Sequence, residues 1–226
     1  RRLLIAPDQR HILVADNFGG LLAIVDAATG ATRSLSRIQG HHIDGLASSH
    51  DAKQVFVAHQ ILNGRATTED DPVFWGVVLT NVMQGFEWES LVRGGVAHLG
   101  EDETGARESD AREAGNKTLA RGEVLPLGEP SHGTGDPGAI WVSSRGKAVV
   151  CLGGVDEVAV RSSATQPMLR LPAGRKPSAL AADADERWCV VANELDDSLS
   201  VIDLATMKVA EPLSLGPRPV LSAADR

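Results

Sequence analysis

Tyrosine is absent from this chain of 226 residues, phenylalanine occurs four times and cysteine only twice. Two cysteines do not make a disulfide framework, so burial of apolar surface has to carry the fold. No stretch approaches the 18 to 20 consecutive apolar residues of a membrane span. No segment sustains a helical period, which removes bundles and helix-rich α/β folds. There is no start Met, no charged leader region and no apolar signal segment. Basic residues are in deficit: 22 Lys and Arg face 30 Asp and Glu, a net charge of −8. That balance argues against nucleic acid and against anionic membranes, both of which need clustered cations. Familiar catalytic signatures are missing as well: no G-x-S-x-G, H-E-x-x-H, Walker loop, dinucleotide fingerprint or Cys-x-x-Cys-His occurs. GTGDPG at 133–138 is rich in Gly, but a strand follows it, so it lacks the helix N-terminus that cradles phosphate.

What is present is a pattern written four times. An apolar residue is followed 11 positions later by another inside a Val-rich stretch: Leu3 and Val14, Leu46 and Val57, Ile140 and Cys151, Leu180 and Val191. Val14 to Val57 spans 43 residues and Cys151 to Val191 spans 40. A period near 40 built from short strands is the mark of a propeller-type array. The last repeat shows the four strands as SALAA, WCVVAN, SLSVID and a stretch ending EPLSL, with turn residues between them. Runs such as WCVVA and HILVA are apolar on both faces, as suits a sheet covered on either side by its neighbours. Asp26 and Asp203, in IVDAAT and VIDLAT, are expected to shape turns by accepting from backbone N–H groups. The pairs Asp196-Asp197 and Asp70-Asp71 are likewise expected in solvated turns. The fold class is therefore all-β: a β-propeller of four-stranded antiparallel blades, four of them in this chain. Leu3, Leu46, Ile140 and Leu180 should lie on innermost strands. Val14, Val57, Cys151 and Val191 should be buried on the second strands, with the two cysteines as small core hydrophobes.

The repeats resemble the YVTN-type β-propeller family of bacterial secreted and surface proteins. The residues that carry the resemblance are LVADN at 13–17, VVANE at 190–194, SLSVIDLAT at 198–206 and the lead-ins at Pro137 and Pro177. Rings of that type usually have seven blades, which implies that this chain is the later part of such a ring; an independent four-bladed ring is the other option. LGPRP at 215–219 copies PAGRKP at 172–177, but Ser222 stands where an apolar residue is due. Residues 1–221 are thus assigned to the propeller and 222–226 to the start of a linker. The stretch HQILNGRATTEDDPVFWGVVLTNV, with SHGTGDPGAI, resembles an insertion in large proteins that fuse such a propeller to c-type cytochrome, di-haem peroxidase-like domains. The resemblance implies a periplasmic or extracellular scaffold in electron transfer, docking a haem domain or a redox partner protein. Haem c is then expected only in a downstream domain, and no cofactor within this chain. The alternative is an enzyme with its site at the propeller mouth, lactonase-like or another metal-dependent hydrolase.

The insertion at 60–136 falls in and after the second repeat. WGVVLTNV (75–82) is expected as that repeat's third strand and GEVLPLG (122–128) as its fourth. Residues 101–118, charged and poor in apolar side chains, are expected to be mobile. One site follows from the topology. The loop leading into each blade and the loop between its second and third strands open on one face. His41 and His42, His59 and His132 should therefore gather on one rim near Asp44, Asp70, Asp71 and Asp136. Imidazole with carboxylate is a ligand set for zinc, copper or iron; polar rim or docking contacts are the plainer reading of the same four histidines.

Overall fold

In the computed structural model, residues 2–63, 66–67, 69–70, 78–94, 123–129, 132–210 and 212–216 are described. The expected mobile segment 101–118, Asp71 and the linker 222–226 lie outside them. Four antiparallel sheets follow one another along the chain. The first contains β1 (Arg2–Ile5), β2 (His11–Ala15), β3 (Leu21–Asp26) and β4 (Thr32–Arg37); the second, β5 (His41–Ser48), β6 (Gln54–Leu62), β7 (Leu79–Glu87) and β8 (Val124–Pro126). The third contains β9 (Pro137–Val142), β10 (Ala148–Leu152), β11 (Glu157–Arg161) and β12 (Leu169–Pro172). The fourth has β13 (Pro177–Ala182), β14 (Trp188–Asn193), β15 (Ser198–Asp203) and an outer strand split into β16 (Lys208–Val209) and β17 (Leu213–Ser214). Proline, which has no N–H to give the ladder, stands at 212 inside that split. One short helix, α1 (Trp88–Arg93), follows β7.

Side-chain alternation glues the sheets into an arc. Along β6, Val55 and Val57 join the first sheet's Leu13, Leu22 and Ile24 in one core, while Phe56 and Ala58 join the third sheet's Val150, Leu152 and Ala159 in another. Along β10, Val149 and Cys151 turn the other way, to Cys189, Val191 and Ile202 of the fourth sheet. The strands of the middle blades are apolar on both faces because each face is a junction. Among the described residues no core cluster joins the first sheet to the fourth, so the four blades form an arc rather than a closed ring.

An open flank accounts for the one second-strand burial that fails, Val14, and for the exposure of Leu3. Val57, Cys151 and Val191 are fully buried and Ile140 nearly so, but Leu46 and Leu180 are half-buried, as is Val14, and Leu3 is 68% exposed. Leu3 pairs with Val14, which pairs with Ala23, on the face of the first sheet turned away from the second. Ile5, equally exposed, shares that face.

Two registers also differ from expectation. Leu3, Leu46 and Leu180 pair with Val14, Val57 and Val191, but Ile140 pairs with Val150, not Cys151. The turn in the third blade closes from Ser143 N–H to the Lys147 carbonyl, one residue tighter than the Asp183-to-Trp188 turn of the fourth. A one-residue slip sends a side chain to the opposite face, so Cys151 faces the fourth blade. In the second blade, the third strand is Leu79–Glu87 where 75–82 was expected; it continues through MQGFE, whose Met83 and Phe86 are buried.

The turn aspartates behave as expected. Asp26 Oδ1 accepts from the Ala28 and Thr29 N–H groups and the Thr29 hydroxyl. Arg33, at 2.7 Å, first, and those bonds next, hold its carboxyl well below the usual range. Asp203 Oδ1 accepts from the N–H groups of Ala205 and Thr206.

Candidate functional site: the lead-in rim

The innermost strands of blades two to four begin irregularly. The ladder shifts between His41 and Gly45 on β5, between Pro177 and Ala179 on β13, and opposite β9 between Val150 and Leu152. A residue next to each of these strand starts is left-handed without being glycine: His42 (φ 51), Asp136 (φ 46) and Lys176 (φ 54). Such residues are uncommon and cost on the order of 1–3 kcal/mol each. Backbone bonds from the second-to-third-strand turns hold two of them. Gly153 and Gly154 N–H donate to the carbonyls of Asp136 and Gly135, and Glu194 and Leu195 N–H donate to those of Lys176 and Arg175. Gly135 and Gly154 pass so closely that a Cβ on Gly154 would sit 2.9 Å from Gly135 backbone. Ile43 N–H reaches across to the Asn17 carbonyl of the first blade. These contacts put the lead-ins of blades two to four and the second-to-third-strand turns of blades one, three and four on one face.

Charged contacts run along the same face. Arg2 Nε donates to Asp44 at 2.7 Å, linking the first two innermost strands. His42 Nε2 lies 3.8 Å from Asp136, linking the second and third blades. His132 Nε2 is 3.3 Å from Glu157 Oε1, and the same carboxylate takes the guanidinium of buried Arg170, which also donates to the Leu127 and Gly133 carbonyls. Lys176 N–H donates to Asp156, and its ammonium pairs with Glu194 at 3.0 Å.

The four histidines singled out from the sequence divide. His41, His42 and His132 are on this rim, with separate partners: the Phe18 carbonyl, Asp136 and Glu157. His59 is not in a loop but inside β6, with its side chain fully buried. Its ring nitrogens face two oxygens: Nε2 is 3.1 Å from Gln84 Oε1 and Nδ1 is 3.3 Å from the Gln60 carbonyl. Burial pushes its pKa down, against the two acceptors, which raise it. The longer β6–β7 hairpin explains the difference, because the strand continues to Leu62. Among the described residues no group of three or more His, Cys, Asp and Glu is placed to hold a metal. Asp70 is exposed, and Asp44 is committed to Arg2.

Sequence reasoning missed the polar plugs under the rim. Asn193, on the fourth blade at the position of His59, donates through Nδ2 to Ser198 Oγ (2.9 Å) and Ser200 Oγ (3.0 Å), beneath Gly174. Gly40 covers His59 in the same way, with a Cβ there meeting Nδ1 at 2.5 Å. A Gly in the second and fourth lead-ins, each with a polar residue two places beyond the buried second-strand valine, was the available signal.

No protein-family model matches the chain, and no curated protein matches it. The resemblance to YVTN repeats therefore stands on the residues quoted for it. Solved structures do match. Hydrazine synthase from Kuenenia stuttgartiensis is 17% identical, with a TM-score of 0.63 over 89% of this chain and 57% of that one. A functionally unknown protein from Desulfotomaculum acetoxidans is 10% identical, with a TM-score of 0.59 over 95% of this chain and 56% of that one. The dihydro-heme d1 dehydrogenase NirN, in complex with DHE, is 16% identical, with a TM-score of 0.58 over 96% of this chain and 37% of that one. At these identities the likeness is one of fold, and the chain spans little more than half of those structures, or less.

Proposed function

We propose that this chain is a non-catalytic propeller scaffold of a secreted bacterial redox protein, and that it holds a haem domain or a redox partner in position for electron transfer. The observation that carries the reading is the rim. Its lead-ins are fixed by backbone bonds in left-handed geometry in three successive blades, so the surface is ordered before anything binds. A preordered surface saves the ordering cost that weakens protein association. The redox part is supported by the resemblance to propellers fused to c-type cytochrome domains. Two of the fold-level neighbours, a hydrazine synthase and a dihydro-heme d1 dehydrogenase, carry redox names. Periplasmic or extracellular placement, and haem c in a downstream domain, follow from the same resemblance. A metal-dependent enzyme at the propeller mouth has the weaker case, because His42 and His132 are each paired to a different carboxylate and His59 lies beneath the rim.

The test is spectroscopic. The native polypeptide that contains this chain, isolated from its source, should show the reduced-minus-oxidised absorption of haem c, in its own chain or in a protein that co-purifies stoichiometrically. A native protein with no haem and no other redox centre in the complex would refute the reading.

A further inference from the structure

Each tight second-to-third-strand turn on the rim carries one apolar side chain with no part in the fold. The turns are Asn17–Gly20, Gly153–Asp156 and Glu194–Asp197, and the residues are Phe18 (73% exposed), Val155 (37%) and Leu195 (53%). In the second blade, Ile61 and exposed Leu62 and Leu79 stand where β6 and β7 run on past the others. Turn chemistry calls for Gly, Asn and Asp at such places, and those residues supply it here. Asp16 accepts from Gly19 N–H, and Asp196 accepts from Arg175 N–H. Phe18, Val155 and Leu195 belong to none of the three core clusters. A single exposed apolar residue needs no explanation; one per blade on one face makes an interaction surface.

The charge around it selects the partner. Most of the rim's cations are engaged: Arg2 with Asp44, Arg170 with Glu157, Lys176 with Glu194, and Arg37 with the Gly19 carbonyl, while the exposed guanidinium of Arg175 is in no ion pair among the described residues. Exposed Glu129, Asp156 and Asp197 are in no ion pair among the described residues, and exposed Asp136 faces only His42. The apolar crown thus sits in a negative field, which repels nucleic acid and anionic lipid and attracts a cationic protein surface.

We propose that the lead-in face docks a lysine- and arginine-rich protein surface, with Phe18, Val155 and Leu195 as its apolar contacts. This rests on the scaffold reading above and names the chemistry of the partner.

Isothermal titration of the intact protein with a lysine-rich c-type cytochrome, an acidic c-type cytochrome of the same size, and lysozyme as a basic protein without haem provides the test. The lysine-rich cytochrome should bind, with affinity falling several-fold between about 20 and about 200 mM salt. Phe18→Ser/Leu195→Ser should weaken it about tenfold or more, the loss expected of a central apolar contact. Leu169→Ser, on an exposed part of β12 outside the rim, should leave it unchanged. Asp197→Asn, which keeps a residue tolerant of the left-handed region, should weaken binding at low salt and flatten its salt dependence. Failure of both basic proteins to bind, equal binding of the acidic cytochrome, or equal binding by the rim double variant and its parent would overturn the proposal. The two readings fail separately. Electron transfer to a haem partner that ignores the rim variants leaves the redox scaffold standing and removes this face. Rim-dependent binding of lysozyme alone keeps the face and argues against the redox role.

Discussion

Adding one methyl group at Gly174 should unseat the polar plug of the fourth blade. Gly174 is outside the left-handed region, so alanine brings no backbone strain there. Its Cβ would instead overlap the Asn193 amide, lying 2.6 Å from Cγ, and would sit 2.7 Å from Ser198 Oγ. The amide has to move, and its bonds to Ser198 and Ser200, both buried, break. Two net hydrogen bonds at about 1 kcal/mol each, plus about 1–2 kcal/mol of overpacking, give about 3–4 kcal/mol. For a domain of this size, that lowers the melting temperature by about 6–16 °C. Asn193→Ala alone loses the two bonds and should cost about 2 kcal/mol. In the double variant the methyl meets a space instead of an amide, and Ser198, freed of its donor, rotates aside. Denaturant unfolding of the four proteins should therefore give a coupling of at least about 1.5 kcal/mol. Additive losses would mean that Gly174 and Asn193 do not touch, and the plug would be wrong.

Two further outcomes follow from buried titratable groups. Cys151 and Cys189 have thiols pushed up to about 12, chiefly by desolvation, so at pH 8 neither should react with a disulfide reagent in the folded protein and both should after unfolding; prompt labelling of the native state would contradict their burial. His59 has a lowered pKa in the fold, so the native state binds fewer protons than the unfolded one below about pH 6.5. Stability should then fall as pH drops through that value, and His59→Gln should flatten the fall. Identical pH profiles for parent and variant would refute the assignment.

How much of this could be read from the chain divides along physical lines. Val57 and Val150 lie in strands packed at a junction on each face, and Val191 faces the one junction of its blade, so the repeated apolar runs mark the blades. Leu3 carries the same pattern on a face that no other described blade covers, and pattern alone does not report a neighbour. Cys151 is buried on a second strand as expected but is not the register equivalent of Val191, because the spacing from Ile140 is closed by a turn one residue shorter, which a fixed offset cannot register. His59 was assigned to a loop because its strand outruns those of the other blades. The rim's separate imidazole–carboxylate pairs depend on which side chains cross between blades, a matter of distances that no linear spacing encodes.

The bonds that fix the rim are almost all made by main-chain atoms: Gly153 and Gly154 to Asp136 and Gly135, Glu194 and Leu195 to Lys176 and Arg175, Ile43 to Asn17. Stability on this face is thereby kept in atoms common to every amino acid, while the side chains of Phe18, Val155 and Leu195 carry none of it. Such a face can change its specificity by point substitution with little penalty to folding. Mutational tolerance should accordingly be greatest at the outermost atoms of the rim and least at the small residues beneath, where Gly40 and Gly174 leave no room for a methyl group.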